Sequence, residues 1–177
     1  MPDCTNRQRK NIRLRDYDYS SPGAYMVTVC ADRRLTDFGL LKDGSVVLSD
    51  IGRIIEKHWL DLPAHFPGVR LDAWVIMPDH LHGILRFELD GPGETGLAPT
   101  AEPGLWKLPE LGDVVGSFKA AVTREIRKSG LSTRCLWQRG YYEHVIRNRT
   151  DLELAREYIA LNPLRKEAQD GPFTLPG

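Results

Sequence analysis

Apolar and polar residues alternate along the first part of the chain and then recur at helical spacing. Residues 24–34 (AYMVTVCADRR) alternate and are rich in β-branched and aromatic side chains, which predicts a strand. The following segment, FGLLKDGSVVLS, predicts a short hairpin around Asp43 and Gly44. From Ser49 a helix is predicted to run until near Pro63, because a capping residue precedes an apolar stripe formed by Ile51, Ile54, Ile55, Trp59 and Leu62.

A pair of strands and a second helix follow. Residues 69–78 and 80–89 predict two strands, which we expect to be antiparallel neighbours because the connection at Pro78 and Asp79 is so short. Residues 111–130 predict a helix whose basic side chains face outward and whose inner face consists of Val114, Val115, Phe118, Val122 and Ile126.

The last part of the pattern predicts one more strand and one more helix. Residues 136–147 (LWQRGYYEHVIR) have strand character. Residues 150–163 (TDLELAREYIALNP) predict a helix that is capped by Thr150 or Asp151 and ends before Pro163.

This order of elements predicts an α+β fold of the ferredoxin-like, split βαβ type, with helices packed on one face of an antiparallel sheet and one further helix at the end. The middle pair of strands tends to be central in such folds, which would place residues 80–89 in mid-sheet. We expect one domain over residues 21–166, with a mobile Gly/Pro-rich insertion at 90–109. A basic N-terminal arm, 1–20, and a C-terminal tail, 167–177, would flank it.

The balance of charge gives no direct indication of a partner. The 177 residues include 24 Lys and Arg and 24 Asp and Glu, so the net charge is zero. Residues 117–149 are nevertheless basic and residues 88–113 acidic, which is compatible with a phosphate-binding face but also with ordinary solvated surfaces. Candidate contacts to DNA in or near the basic segment are Lys119, Arg124, Arg139, Arg147 and Arg149.

Cysteine usage and hydropathy narrow the class of protein. Cys4, Cys30 and Cys135 are odd in number and far apart, which argues against a disulfide framework and a thiolate zinc site. The chain contains no run of about 18 uncharged apolar residues, so the sequence supports neither secretion nor membrane spanning. We expect a cytoplasmic protein with no membrane partner.

Two histidines stand one residue apart in the segment VIMPDHLHGIL. If this segment is a strand, His80 and His82 share one face and Leu81 points to the other. Two adjacent imidazoles suit a metal ion, provided that a third ligand comes from elsewhere in the fold. Without further context, such a pair is more often two partly buried histidines that are satisfied by backbone groups.

The last predicted helix offers such a ligand. Tyr158 and Asn162 are four residues apart and therefore lie one above the other on the arc that faces the protein body. The Asn162 amide could complete a site with two imidazoles, and Tyr158 would then stand beside the metal and could attack phosphorus to give a covalent phosphotyrosine. Two alternatives remain open, because Tyr158 could be a core tyrosine and Asn162 a helix C-cap.

The His-hydrophobe-His of MPDHLHG and the Tyr-x-x-x-Asn of YIALN resemble the signatures of the single-tyrosine HUH transposases, most of all the REP-associated tyrosine transposases. The flanking segments RLRDYDYSSPGAYMVTVC, FPGVRLDAWVIMPDHLHG, VVGSFKAAVTREI and WQRGYYEHVIRNRTDLELAREYIALNP also resemble that family. The resemblance covers residues 11–166 except for the insertion.

The resemblance implies the HUH endonuclease fold and a metal-dependent enzyme that nicks and rejoins single-stranded DNA at or beside hairpins. By that analogy His80, His82 and Asn162 bind Mg²⁺ or Mn²⁺. Tyr158, on the C-terminal catalytic helix, attacks to leave a 5′-phosphotyrosine and a free 3′-hydroxyl. Mobile members of the wider group usually carry Gln at the position of Asn162, so the chain is closer to the REP-associated branch. The resemblance leaves a monomer and a homodimer equally open.

Other functions remain compatible with the sequence. The same fold could serve a hairpin DNA- or RNA-binding protein that does not cleave, or a metallohydrolase that uses water. Tyr141 and Tyr142 are rival nucleophiles by residue type, but their predicted strand suits packing or base stacking better. We interpret His144 as structural and Asp79 as part of a turn. Trp59 and Trp74 are core candidates, whereas Trp106 and Trp137 could contact DNA.

Overall fold

The computed structural model describes residues 21–32, 38–89, 107–131 and 135–170, the side chains of 167–170 excepted. Residues 1–20, 90–106 and 171–177 are not among them, so the proposed N-terminal arm, most of the insertion and Trp106 lie outside the described residues. The helices and strands of the described part are β1 Gly23–Cys30, β2 Gly39–Lys42, β3 Ser45–Leu48, α1 Asp50–Leu60, α2 Leu62–His65, β4 Val69–Ile76, β5 His80–Phe87, α3 Leu111–Lys128, β6 Tyr142–Ile146 and α4 Arg149–Asp170.

The main sheet has four antiparallel strands in the order β4-β5-β1-β6. This is the ferredoxin-like order, and the α+β prediction is confirmed. The strand that carries the histidines, β5, is central, as expected. Its other neighbour in the predicted pair, β4, is an edge strand, because β1 lies on the opposite side of β5. The predicted hairpin forms a separate two-stranded sheet, β2-β3, and its two turn residues, Asp43 and Gly44, both have positive φ.

Helices α1 and α3 cover one face of the main sheet, and α4 covers the other. The larger core contains alternate residues of the central strands, such as Val27 and Leu85, together with Ile55 and Trp59 of α1 and Phe118 of α3. Trp59 is therefore in the core, as predicted, and Trp74 packs against it. A smaller cluster on the opposite face joins Ile84 of β5 to Ala155 and Ile159 of α4.

Trp59 approaches the sheet at the residue between His82 and Ile84. A methyl group added to Gly83 would lie 2.2 Å from Cζ2 of Trp59, so only glycine fits at that position. Trp59 thus packs directly against the backbone of β5, on the face opposite to the histidines.

Both ends of α4 differ from the prediction. Thr150 and Asp151 are not the cap, because α4 begins at Arg149 and the side chain of Asn148 accepts a hydrogen bond from the Asp151 N–H at 2.9 Å. The expectation that the helix ends before Pro163 is also wrong, since α4 continues to Asp170 with Pro163 inside it. Pro163 is buried, and tertiary packing here overrides the helix-breaking tendency of proline. Asn162 is therefore not a C-cap.

Trp137 differs from the prediction as well. Its ring is 7% exposed and its Nε1 donates to the carbonyl oxygen of Lys119, so it is a core residue and not a DNA contact. The strand predicted over residues 136–147 is shortened to β6, with a single bridge between Trp137 and Ala31 before it. No helix in the described part of the chain is long and apolar enough to cross a membrane.

Candidate functional site

The two histidines of β5 lie side by side on the face of the sheet that α4 covers. Their Nε2 atoms are 3.0 Å apart, and their ring centroids are 4.5 Å apart. Leu81, between them, is fully buried on the opposite face, as the alternation of a strand requires. The predicted pairing of His80 and His82 is thus present in the fold.

The other nitrogen of each ring has its own partner. Nδ1 of His80 lies 2.7 Å from a carboxylate oxygen of Asp79, and Nδ1 of His82 lies 2.7 Å from Oγ1 of Thr28. Asp79 also accepts a backbone hydrogen bond from Ala31, so it is both a turn residue and a partner of His80. The contact between the two Nε2 atoms is a hydrogen bond when one of them carries a proton. If Nδ1 donates in both rings, each Nε2 instead offers its lone pair toward the same point.

His82 is a buried and uncharged imidazole. Burial in the protein, and secondly the neighbouring His80, lower the pKa of His82 to about 3, although Asp79 acts in the opposite direction. A neutral imidazole is the form of histidine that binds metal ions.

The donor set fits a divalent cation. Metal–ligand bonds of about 2.1 Å that meet at a right angle place two ligand atoms roughly 3.0 Å apart, which is the observed separation of the two Nε2 atoms. The described residues include no group of three or more His, Cys, Asp and Glu side chains that could hold a metal ion. Among those residues, the amide oxygen of Asn162 is a candidate for a third protein ligand.

Helix α4 places a tyrosine next to the histidine pair. The ring centroids of Tyr158 and His82 are 5.2 Å apart, and Tyr158 is 40% exposed. The following residue, Ile159, is buried against Ile84, which fixes this turn of α4 over β5. Asn162 lies one turn beyond Tyr158 on the same side of the helix and is half-buried. Its side chain makes no hydrogen bond to any other residue that the structure describes.

Two ionic contacts attach α4 to opposite edges of the sheet. At its start, Asp151 accepts hydrogen bonds from the Arg147 N–H and pairs with His144 of β6 at 2.9 Å. The interpretation of His144 as structural agrees with this contact. About one and a half turns further along, Arg156 makes a bidentate contact with Asp72 of β4, at 2.7 and 2.6 Å. This contact holds the pKa of the Asp72 carboxyl below its usual value.

Arg156 and Tyr158 point to opposite sides of α4, because two residues correspond to a rotation of about 200°. Asp72 lies where the register between β4 and β5 shifts, between Leu71 and Trp74. The irregularity of the edge strand thus presents the carboxylate that Arg156 contacts. As a result, the Asp72–Arg156 contact resists a rotation of α4 about its own axis, which would carry Tyr158 away from His82.

A groove opens beside Tyr158, between α4 and β6, with a volume of about 290 Å³. We call it the Tyr142 groove. Neither lysine nor arginine is among its lining residues, which are Met26, Thr28, His82, Tyr142, Glu143, His144 and Tyr158.

The predicted DNA contacts are spread over the molecule. Arg147 and Arg149 flank the start of α4 and line a second depression of about 340 Å³ together with Arg86, which the sequence had not indicated. Arg149 also pairs with Glu153. Arg139 and Arg124 are exposed, the latter on α3 and therefore on the face away from the histidines.

Lys119 has a different environment from the arginines. Its Nζ donates to the carbonyl oxygens of Gln138 and Gly140, both at 2.8 Å, and burial lowers the pKa of its ammonium group. The structure therefore places Lys119 beneath the segment that leads into β6 and not beside the histidine pair.

Sequence comparison finds two informative relatives, although no protein-family model matches the chain. An uncharacterized protein of Haemophilus influenzae is 37% identical over 160 residues, which are 88% of each chain. The REP-associated tyrosine transposase of Escherichia coli K12 is 30% identical over 111 residues, which are 59% of this chain and 52% of the relative.

A solved structure of a REP-associated tyrosine transposase bound to a REP hairpin has the same fold. It aligns with a TM-score of 0.53 and 23% identity, over 91% of this chain and 80% of the other. The fold, with its central four-stranded sheet, is that of the HUH transposases. This sequence and structural similarity supports the REP-associated tyrosine transposase family that the motifs of the sequence indicate.

Proposed function

We propose that this transposase-like protein nicks and rejoins single-stranded DNA at or beside a hairpin, with Tyr158 as the nucleophile. The observation that carries the proposal is the position of Tyr158, a half-exposed phenol whose ring is 5.2 Å from that of His82. The REP-associated transposase structure that shares the fold contains a REP hairpin, which supports a hairpin as the substrate here.

The proposed reaction exchanges one phosphoester bond for another. The Tyr158 oxygen, which loses its proton, bonds to phosphorus while the bond from phosphorus to the 3′ oxygen breaks. The departing oxygen takes up a proton and becomes a free 3′-hydroxyl, and the 5′ end remains attached to the tyrosine. Because the ester is conserved, attack by a 3′-hydroxyl on the phosphotyrosine reverses the step and rejoins a strand.

His80, His82 and Asn162 are the residues that would hold Mg²⁺ or Mn²⁺. The cation would neutralise the charge on the phosphate oxygens at the scissile bond. Softer Mn²⁺ suits two imidazoles at least as well as Mg²⁺ does. Thr28 and Asp79 orient the two rings, while the turn that contains Ile159 positions Tyr158 above them.

The proposal is tested by mixing the protein with labelled hairpin oligonucleotides from its own genomic neighbourhood, with Mn²⁺ or with EDTA, and separating the products on denaturing gels. We expect a Mn²⁺-dependent protein–DNA adduct that is absent in Tyr158→Phe. Tyr141→Phe is the matched control, since Tyr141 packs against the larger core, and it should form the adduct normally.

Other outcomes would identify the alternative functions. A hairpin that binds but forms no adduct with any metal would favour a non-cleaving DNA- or RNA-binding protein. Cleavage that persists in Tyr158→Phe would favour a metallohydrolase that uses water. Asn162→Ala should weaken Mn²⁺ binding in a direct titration, and unchanged affinity would remove Asn162 from the ligand set.

A further inference from the structure

We propose that the Tyr142 groove binds one unpaired nucleobase of the DNA strand, next to the phosphate that Tyr158 attacks. The proposal rests on the proposed function and adds a substrate subsite to it. It predicts that the enzyme selects its cleavage position partly through a base that is stacked in this groove.

The position of Tyr142 in the sheet places it close to the histidine pair. In the register of the strands, Thr28 is the partner of His82 on one side and of Tyr142 on the other. The three residues form one row across the sheet, with Thr28 in the middle. Two strand spacings of about 4.8 Å each separate Tyr142 from His82, so the groove reaches from His82 to a tyrosine roughly 10 Å away. A nucleotide adjacent to the scissile phosphate can bridge that distance.

The residues that line the groove suit a nucleobase. Tyr142 and Tyr158, on opposite walls, are 39% and 40% exposed, and Met26 contributes an apolar surface between them. Exposed aromatic rings bind single-stranded nucleic acid by stacking on its bases. The volume of about 290 Å³ is at the lower limit for small-molecule sites, which suits one ring system and not the stem of a hairpin.

The charge of the groove distinguishes a base from a phosphate as its ligand. No lysine or arginine lines the groove, and its one imidazole beyond His82, that of His144, already pairs with the carboxylate of Asp151. A phosphate would find no unpaired cation there, whereas a neutral base needs none. A base that is paired in a stem cannot enter, so the occupant is an unpaired one.

The experiment pairs a protein variant with a modified DNA. The cleavage position is first mapped from the adduct, and oligonucleotides with a single abasic site at each neighbouring position are then compared in single-turnover adduct formation. With the unmodified protein, we expect one abasic position beside the nick to slow the reaction by about 5- to 100-fold, the range of one stacked base.

Tyr142→Ala should slow adduct formation with the intact oligonucleotide by a similar factor. With that abasic DNA, the rate of this variant should fall no further. Tyr142→Phe, which keeps the ring, should behave like the unmodified protein. Leu60→Ala, on α1 and on the opposite face, is the control and should retain the full abasic effect. Independent, multiplicative losses from Tyr142→Ala and from every abasic position would overturn the proposal.

A second measurement does not require cleavage. A 2-aminopurine base at the same position should be quenched when the hairpin binds the unmodified protein or Tyr142→Phe, and should remain bright with Tyr142→Ala. If the unmodified protein forms no adduct, the proposed nicking activity fails. Quenching of 2-aminopurine at each position of the loop and its flanks would still show whether the Tyr142 groove binds a base. Quenching that is equal in Tyr142→Ala and in the unmodified protein at all positions would overturn the proposed base-binding site. If Tyr142→Ala does not fold, Tyr142→Leu takes its place.

Discussion

Oγ1 of Thr28 lies 2.7 Å from Nδ1 of His82, and this contact between neighbouring strands leaves Nε2 of His82 on the side of His80. If Nδ1 donates to the hydroxyl, Nε2 keeps its lone pair for a cation. We expect Thr28→Val to weaken Mn²⁺ binding by about 10- to 100-fold in a direct titration without DNA. Thr123→Val on α3 removes a hydroxyl that bonds only to its own helix and should leave the affinity unchanged. Equal affinities for both variants would contradict the orienting role of Thr28.

The burial of His82 makes stability depend on pH. Its pKa is about 3 in the fold against 6.5 for an unperturbed histidine, so between these values the unfolded chain binds a proton that the folded chain does not. Stability therefore falls as the pH falls below 6.5, by about 1.4 kcal/mol per unit. In urea titrations with EDTA, we expect the unmodified protein to lose about 2 kcal/mol more than His82→Gln between pH 7 and pH 5. Parallel pH profiles for the two proteins would show that His82 titrates normally.

The contact between Asp72 and Arg156 should affect the reaction rate more than DNA binding. Asp72→Asn removes a carboxylate that is 10% exposed, so it cannot remove a contact to phosphate, but it releases the rotation of α4. We expect adduct formation to slow by about 10- to 100-fold, with hairpin affinity unchanged or slightly higher. Arg156→Lys should slow the reaction too, because lysine lacks the bidentate fork, and the double variant should be no slower than the single ones.

The control for that experiment is Glu153→Gln, which breaks the exposed pair with Arg149 on the same helix. It should leave the rate of adduct formation unchanged. A rate loss in Asp72→Asn that only follows weaker DNA binding would refute the positioning role.

Lys119 should act on folding and not on DNA. Its ammonium group donates to two backbone carbonyls, so Lys119→Met should reduce the free energy of unfolding by about 1–3 kcal/mol in a denaturant titration, with hairpin affinity unchanged. Lys57→Met removes an exposed ion pair with Glu125 and should cost less than about 1 kcal/mol. A lower salt dependence of DNA binding in Lys119→Met, with full stability, would instead support the phosphate contact that the sequence suggested.

Two glycine substitutions should have opposite effects. Gly83→Ala places a methyl group against the Trp59 ring and should destabilise the protein by about 1–3 kcal/mol or more. Gly116→Ala lies on α3 with nothing within 4 Å of the added carbon, and should stabilise the protein by about 0.4–1 kcal/mol. Thermal melts of both variants test this. A fully stable Gly83→Ala would mean that Trp59 can move away from β5.

The sequence predicted those parts of the site that depend on local periodicity. The shared face of His80 and His82 follows from strand alternation, and the alignment of Tyr158 with Asn162 follows from the helical repeat. By contrast, Thr28 is 54 residues from His82 in the chain, and Asp72 is 84 residues from Arg156. Such pairs depend on strand register and helix docking, which no local pattern encodes.

The ends of α4 were mispredicted for two different reasons. The segment around the start of the helix contains three residues with capping side chains, Asn148, Thr150 and Asp151, and spacing alone does not select among them. Pro163 usually ends a helix, but here it is buried within one. Burial is a tertiary property, so the sequence pattern could not show that the helix continues.

The proline inside α4 removes one backbone hydrogen bond from the helix. Pro163 has no N–H group, so the carbonyl oxygen of Ile159 loses its helical donor in the same turn that carries Tyr158 and Asn162. The part of α4 before Pro163 is held to both edges of the sheet by Asp151 and Arg156. The turn that lacks this hydrogen bond is therefore the weakest turn of α4, and a bend there would move the residues beyond Pro163 relative to Tyr158.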